Sequence, residues 1–267
     1  MKYIVELEQV TKEYDLGATK VRALGGIDLT FEKGEFSVVM GPSGSGKSTL
    51  LNIVSGLDRA TSGKVRVVDV DTSASDDGAL SRLRLEKIGF VFQAYNLIPV
   101  LTAVENVEYV MLLQGRPPAE RWKRAKEMLE AVGLGGLHDR FPRELSGGQQ
   151  QRVAIARAIA AEPVLVLADE PTANLDSKTA ASLMDLMETL NREKGITFIF
   201  STHDPSIVAR ARRKLTLHDG LLLETEVAGK VDTDAESTFT ASAREDRHDP
   251  SIHGERPRAI SGILGGS

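Results

Sequence analysis

One junction restricts the possible folds of this chain more than any other feature. A short run, Phe36 to Met40, ends directly in Gly41-Pro42-Ser43-Gly44-Ser45-Gly46-Lys47-Ser48. A mostly apolar run of that length, entering a glycine-rich turn, reads as a strand buried on both faces, and such strands belong to parallel sheets covered by helices. Thr49 to Ser55 continues as a helix closed by Gly56. The turn fits the spacing G-x-x-x-x-G-K-[ST] in its required strand-then-helix setting. There the glycines let backbone N–H groups wrap phosphate oxygens, Lys47 adds a point charge and Ser48 can ligate magnesium. The expectation is a nucleoside triphosphate site on an α/β fold.

A second glycine-rich grip follows about a hundred residues later. Leu145-Ser146-Gly147-Gly148-Gln149 opens a Pro-free helical stretch from Gln149 to Ala161, with Val153, Ile155, Ala156 and Ile159 among its apolar positions. The bare N-terminus of such a helix offers free N–H groups and a positive dipole end, again suited to phosphate. A simple nucleotide binder needs only one grip, so the second requires its own explanation.

The remaining segments read as alternating strands and helices. Period-two placement predicts strands at Val5 to Val10 and Ile27 to Phe31, punctuated by Gly25-Gly26 and Lys33-Gly34-Glu35. Lys64 to Val70 and Ile88 to Phe92 are further strands, with a polar loop at Ser73 to Asp77 and a short helix at Leu80 to Leu85. Pro117-Pro118 starts a helix that places Trp122, Ala125, Leu129 and Val132 on one face and stops at Gly133. Gln93 to Ser146 is therefore an inserted helical lobe. Val164 to Ala168 and Thr197 to Ser201 are buried strands flanking a helix on Leu183, Leu186, Met187 and Leu190 that ends near Gly195. From about residue 228 strand patterning disappears, and the tail 228–267 is expected to be disordered.

Several polar residues follow strand ends, where sites form in open α/β sheets. Asp169-Glu170 supplies one acid suited to magnesium and one suited to polarising water. Singly, that pair could cap a helix and His203 could be a surface-loop histidine. With Gln93, whose amide can reach a metal or a water, they converge on one edge of one sheet.

A net charge of −5 argues against a general nucleic-acid surface. The Arg210-Ala211-Arg212-Arg213-Lys214 run reads as a solvated helix end, with an acidic lipid surface or partner as the other option. The absence of cysteine fits a reducing compartment. The start lacks the apolar core of a secretory signal, and no apolar run approaches the length of a membrane span.

From about Tyr3 to Glu226 the chain resembles the nucleotide-binding subunits of ABC transporters, with their motifs in order. Gly41 to Thr49 matches Walker A, Gln93 the Q-loop, Leu145 to Gln149 the signature, and Val164 to Glu170 Walker B. Asn174-Leu175-Asp176 matches the D-loop, His203 the switch histidine, and Tyr14 the aromatic that stacks on adenine. Ile53 to Asp58, Gly89 to Leu97 and Leu167 to Asp176 are similar to the MacB/LolD branch, which includes lipoprotein-release and macrolide-export systems and the related FtsE. Ala173 and Asp69-Val70 depart from commoner residues there.

The resemblance implies a P-loop NTPase (RecA-like) core with an antiparallel β-subdomain and a helical subdomain at about 94–150, together forming an ATPase domain over 1–227. It implies ATP and Mg2+ as cofactors, with Tyr14, Gly41, Pro42, Ser43, Gly44, Ser45, Gly46, Lys47, Ser48 and Thr49 holding nucleotide. Ser48, Gln93 and Asp169 would hold the metal, and Glu170, His203, Lys47, Gln93 and Asp176 would act in hydrolysis. It also implies a head-to-tail dimer, in which Ser146, Gly147, Gly148 and Gln149 grip the γ-phosphate bound by the partner, and a separate FtsX-like permease docked near Gln93 to Pro99. The subunit would then be cytoplasmic, peripheral on the inner face of the cell membrane, and would not bind nucleic acid. The alternatives are a soluble ABC ATPase of the assembly-scaffold type, and a DNA-repair or translation-factor ABC protein.

Overall fold

The computed structural model describes residues 2–15, 17 and 19–227; the tail expectation for 228–267 lies outside them. Strands β1 (Tyr3–Asp15), β2 (Lys20–Glu32), β3 (Phe36–Met40), β4 (Ser62–Val67), β5 (Val70–Asp71), β6 (Ile88–Val91), β7 (Leu165–Asp169), β8 (Thr197–Ser201), β9 (Arg213–His218) and β10 (Leu221–Val227) form two sheets. One is antiparallel, in the order β2-β1-β4-β5; the other runs β10-β9-β3-β8-β7-β6 and is parallel except for β10.

Both faces of the second sheet are covered, which explains the continuous apolar runs. On one face Val39, Leu167, Ile199 and Leu215 pack against the antiparallel sheet (Val5, Val10, Phe31) and against α1 (Lys47–Val54) through Leu50 and Val54. On the other face Val38, Val166, Phe198 and Phe200 share a core with α5 (Gly147–Ala160) and α6 (Ser177–Lys194), and α3 (Ala103–Leu113) and α4 (Pro118–Ala131) pack onto α5. The residues of β8 alternate between the two cores, as a period of two requires. Helix α2 (Asp77–Lys87) leads into β6, and α7 (Pro205–Arg210) precedes β9.

Four local expectations need correction. The run Lys64 to Val70 breaks into β4 and β5, because Val68 and Asp69 both take positive φ, 47° and 68°, and turn the chain back antiparallel. Gly25-Gly26 lies inside β2 rather than ending a strand; Gly25 donates its N–H to Gly220 O, 2.8 Å away. Helix α2 begins at Asp77, earlier than Leu80, since the Asp76 carboxylate accepts from Ala79 N–H and caps it. Trp122 does not join the buried face of Ala125 and Leu129: it is 51% exposed, with the Lys126 ammonium over its ring.

The basic run is also not a free patch. Arg210 pairs with Asp185 and Glu188, Arg213 with Glu35, Lys214 with Glu226, and Arg212 donates to Asn191. Arg210, Arg213 and Lys214 are thus paired with carboxylates within the fold, which weighs against the lipid-surface option for them.

Candidate functional site

The turn after β3 and the ends of β6, β7 and β8 open onto one cleft of about 600 Å³. Gly41 has φ +147° and lies so close to the β9 backbone that a Cβ there would stand 2.0 Å from Leu217 O. Only glycine permits this approach. Helix α1 begins at Lys47 with no side-chain cap, so its first N–H groups face the cleft unclaimed by side chains. Lys47 Nζ donates to Gly41 O at 2.8 Å and Pro42 O at 2.9 Å, spanning the loop.

Gly41, Pro42, Ser43, Gly44, Gly46, Lys47, Ser48 and Thr49 all line the cleft. Ser45 does not, because its side chain turns beneath the loop with Oγ buried and unpartnered. Gln93, Asp169, Glu170 and His203 line it as expected, and sequence reasoning missed Ala173, Ser201 and the β2 residues Val21 to Ala23. Val21 stands opposite Tyr14 in the β1–β2 register, a pairing that leaves no spacing signal in the sequence.

Glu170 is the most constrained residue at the site. Its φ is +46°, a backbone state that a non-glycine residue adopts only when its surroundings enforce it. Here its N–H bonds Ser201 O at 2.8 Å, Oε2 accepts from the Thr202 hydroxyl at 2.9 Å, and Oε1 meets His203 Nδ1 at 2.8 Å. The carboxylate is 14% exposed, whereas His203 is 81% exposed. Thr202 was not singled out from sequence, though its place between a strand end and His203 was legible.

The donor set fits a nucleotide-bound magnesium. Ser48, Gln93 and Asp169 offer hard oxygen atoms in one cleft, and Ser201 Oγ is fully buried there without a partner. Among the described residues no cluster of three or more His, Cys, Asp or Glu could hold a metal alone. A cation held by one or two side chains plus phosphate oxygens is the usual magnesium arrangement.

The second grip lies elsewhere. Ser146 caps α5 in a reciprocal box: its Oγ accepts from Gln149 N–H at 3.3 Å, and Gln149 Oε1 accepts from Ser146 N–H at 2.8 Å. Gly148 is packed so tightly that a Cβ would meet Asn174 O at 3.0 Å, and one on Gly147 would meet the Tyr95 hydroxyl at 2.9 Å. None of Ser146 to Gln149 lines the cleft. Asp176 does not line it either; it caps α6, and hydrogen bonds from the Thr179 hydroxyl and N–H hold its carboxyl below the usual range.

Tyr14 flanks the cleft rather than lining it. Its hydroxyl donates to Asp58 Oδ2 at 2.8 Å. A separate apolar groove of about 230 Å³ lies between β6 and the helical lobe, lined by Leu57, Phe90, Phe92, Asn96 and Val110. Arg157 of α5 ties the two regions together by donating to Asn96 O at 2.6 Å and Tyr95 O at 2.8 Å.

Comparison with known proteins agrees with this geometry. A family model described as ABC transporter matches residues 24–173. An uncharacterized ABC transporter ATP-binding protein of Thermotoga maritima is 51% identical over 232 residues, covering 86% of this chain and 98% of the relative. The lipoprotein-releasing system ATP-binding protein LolD of Anaeromyxobacter dehalogenans is 50% identical, covering 82% of this chain and 92% of the relative. The dimeric post-hydrolysis ATP-binding cassette MJ0796, bound to ADP and Pi, superposes with TM-score 0.82 at 46% identity, over 84% of this chain and 98% of that one.

Proposed function

Given that this chain belongs to the ABC transporter family, as an ATP-binding subunit and ATPase of the LolD/MacB-like branch, we propose that two copies of it sandwich ATP and energise a separate membrane permease. The observation that carries the dimer is the separation of the two grips. Gly41 to Thr49 lines the cleft, while Ser146 to Gln149 caps a helix outside it. A second copy placed head to tail brings its Ser146 and Gly148 to the γ-phosphate held by the first. The similar cassette MJ0796 is dimeric, which supports this arrangement.

Within the ATPase domain, residues 1–227, the cleft residues divide the work. The N–H groups of the Gly41 to Ser48 turn and Lys47 bind the phosphates, and Tyr14 stacks on the base. Ser48, Asp169 and Gln93 hold magnesium, whose charge when bound offsets that developing on the phosphate oxygens. Glu170 takes a proton from the attacking water as its oxygen bonds the γ-phosphorus and the bond to the β–γ bridging oxygen breaks, leaving ADP and phosphate. Thr202 and His203 fix the Glu170 carboxylate in position, and His203 also reaches the γ-phosphate. Asp176, on the segment packed against Gly148, relays closure between copies. Loss of the γ-phosphate removes the ligand the copies share, so hydrolysis loosens the dimer.

The groove of Leu57, Phe90, Phe92 and Val110 receives a helix of the permease. On this reading the permease supplies the membrane span and holds the chain on the inner face of the cell membrane; no described helix is itself long and apolar enough to cross. Co-expression with the membrane protein encoded beside it tests this reading. A complex that survives affinity purification and loses the permease on Leu57→Asp is the expected result. A chain that never retains a membrane protein overturns it and favours the soluble scaffold alternative.

A further inference from the structure

We propose that Asp58, with Lys12, is a positioning residue that fixes the Tyr14 ring for the nucleotide base; this rests on the reading of Tyr14 as the base-stacking residue. Five contacts tie this cluster together. Asp58 Oδ2 accepts from the Tyr14 hydroxyl at 2.8 Å, and Oδ1 accepts from Lys12 Nζ at 2.6 Å and from Arg59 N–H at 2.7 Å. Lys12 Nζ also donates to Arg59 O at 2.9 Å and stands 4.7 Å from the centroid of the Tyr14 ring.

Lys12 and Tyr14 lie two residues apart on β1, and the Lys12 ammonium stands over the Tyr14 ring. The Lys12 side chain is only 12% exposed and Asp58 29%, so this cluster is less screened than a surface ion pair. Tyr14 lies opposite Val21 of the cleft wall. The ring is therefore pinned at its hydroxyl by Asp58 and covered on one face by the Lys12 ammonium. On the proposal, a base stacks on the opposite face. A ring ordered before binding loses less rotamer freedom when the base arrives. Burial pushes the Tyr14 hydroxyl above its usual range and the bond to Asp58 adds to this, as expected for a donor held against a carboxylate.

The test is calorimetric titration of the full chain with ATP and, separately, with inorganic tripolyphosphate, which has phosphates and no base. Asp58→Ala and Tyr14→Phe should each weaken ATP by up to about tenfold, the scale of one base stack, and leave tripolyphosphate within about twofold. The double variant should bind ATP no worse than the weaker single one, because both changes remove one interaction. Equal weakening of both ligands, unchanged ATP affinity, or additive losses would overturn the proposal. Should Asp58→Ala fail to fold by thermal melt, Asp58→Asn and Tyr14→Phe carry the test; the asparagine keeps an acceptor for Tyr14 and should show a smaller loss confined to ATP. Tyr14→Ala separates the two levels. If it leaves ATP affinity unchanged, the base-site reading fails; if it weakens ATP while Asp58 variants do not, only the positioning role fails.

Discussion

Replacing Glu170 by glutamine removes a carboxylate while preserving its shape. The Thr202 hydroxyl, 2.9 Å from Oε2, still finds an amide acceptor. The lost charge faces a His203 side chain that is 81% exposed, so the folding cost is under about 1 kcal/mol. ATP affinity should be unchanged within about twofold, because the N–H groups of the Gly41 to Ser48 turn and Lys47 are untouched. Hydrolysis loses its general base, which contributes about 10²–10⁴ in rate, or roughly 2.7–5.5 kcal/mol of activation. The assay is phosphate release at saturating MgATP, paired with light scattering to follow the dimer that ATP should now trap. A variant that hydrolyses ATP within a few-fold of wild type, or that stays monomeric with ATP, refutes the assignment.

Other perturbations separate the two grips and the network beneath them. Ser146→Arg should abolish turnover, since its bulk blocks the shared phosphate, yet leave ATP binding to the same chain largely intact by calorimetry. Gly41→Ala should do the reverse: a Cβ 2.0 Å from Leu217 O displaces the turn, so nucleotide binding is lost and the melting temperature falls. For Asp58, burial alone would raise its carboxyl, but hydrogen bonds from Lys12, Tyr14 and the Arg59 N–H outweigh it and hold the carboxyl below its usual range. A depressed folded value gives stability that is present above the unfolded value of about 4 and lost as pH falls through the folded one. The melting temperature of wild type should thus exceed that of Asp58→Asn at pH 7, and the gap should close below about pH 4. A gap that is constant with pH would mean the carboxylate charge contributes nothing.

The parallel core and the Gly41 to Ser48 turn were legible because their signals are local. An apolar run entering fixed glycine spacing has few other solutions, and period two assigns Phe198 and Phe200 to one core and Ile199 to the other. The helix start after Ser146 was equally legible, but not its capping: the N-terminus read as bare is closed by the reciprocal Ser146–Gln149 box. Strand continuity was not: the β4–β5 turn uses positive φ at Val68 and Asp69, where composition suggests an unbroken strand. Trp122 misled because its spacing fits the buried face of α4, and only packing shows that the cluster ends at Ala125. Asp58 and Thr202 were missed for a different reason. Each acts through a side chain distant in sequence or across a loop, and neither Lys12–Asp58 nor Tyr14–Asp58 leaves a spacing pattern.

The central claim is that each active site is built from two copies of the chain. It is tested most directly by mixing two inactive variants, Lys47→Ala with an intact signature and Ser146→Arg with an intact phosphate turn. Each alone should be inactive. Random pairing makes half the dimers mixed, each with one complete site, so the mixture should recover up to about a quarter of the wild-type ATPase rate. Activity of Ser146→Arg on its own, or a mixture as inactive as its components, would contradict the shared site.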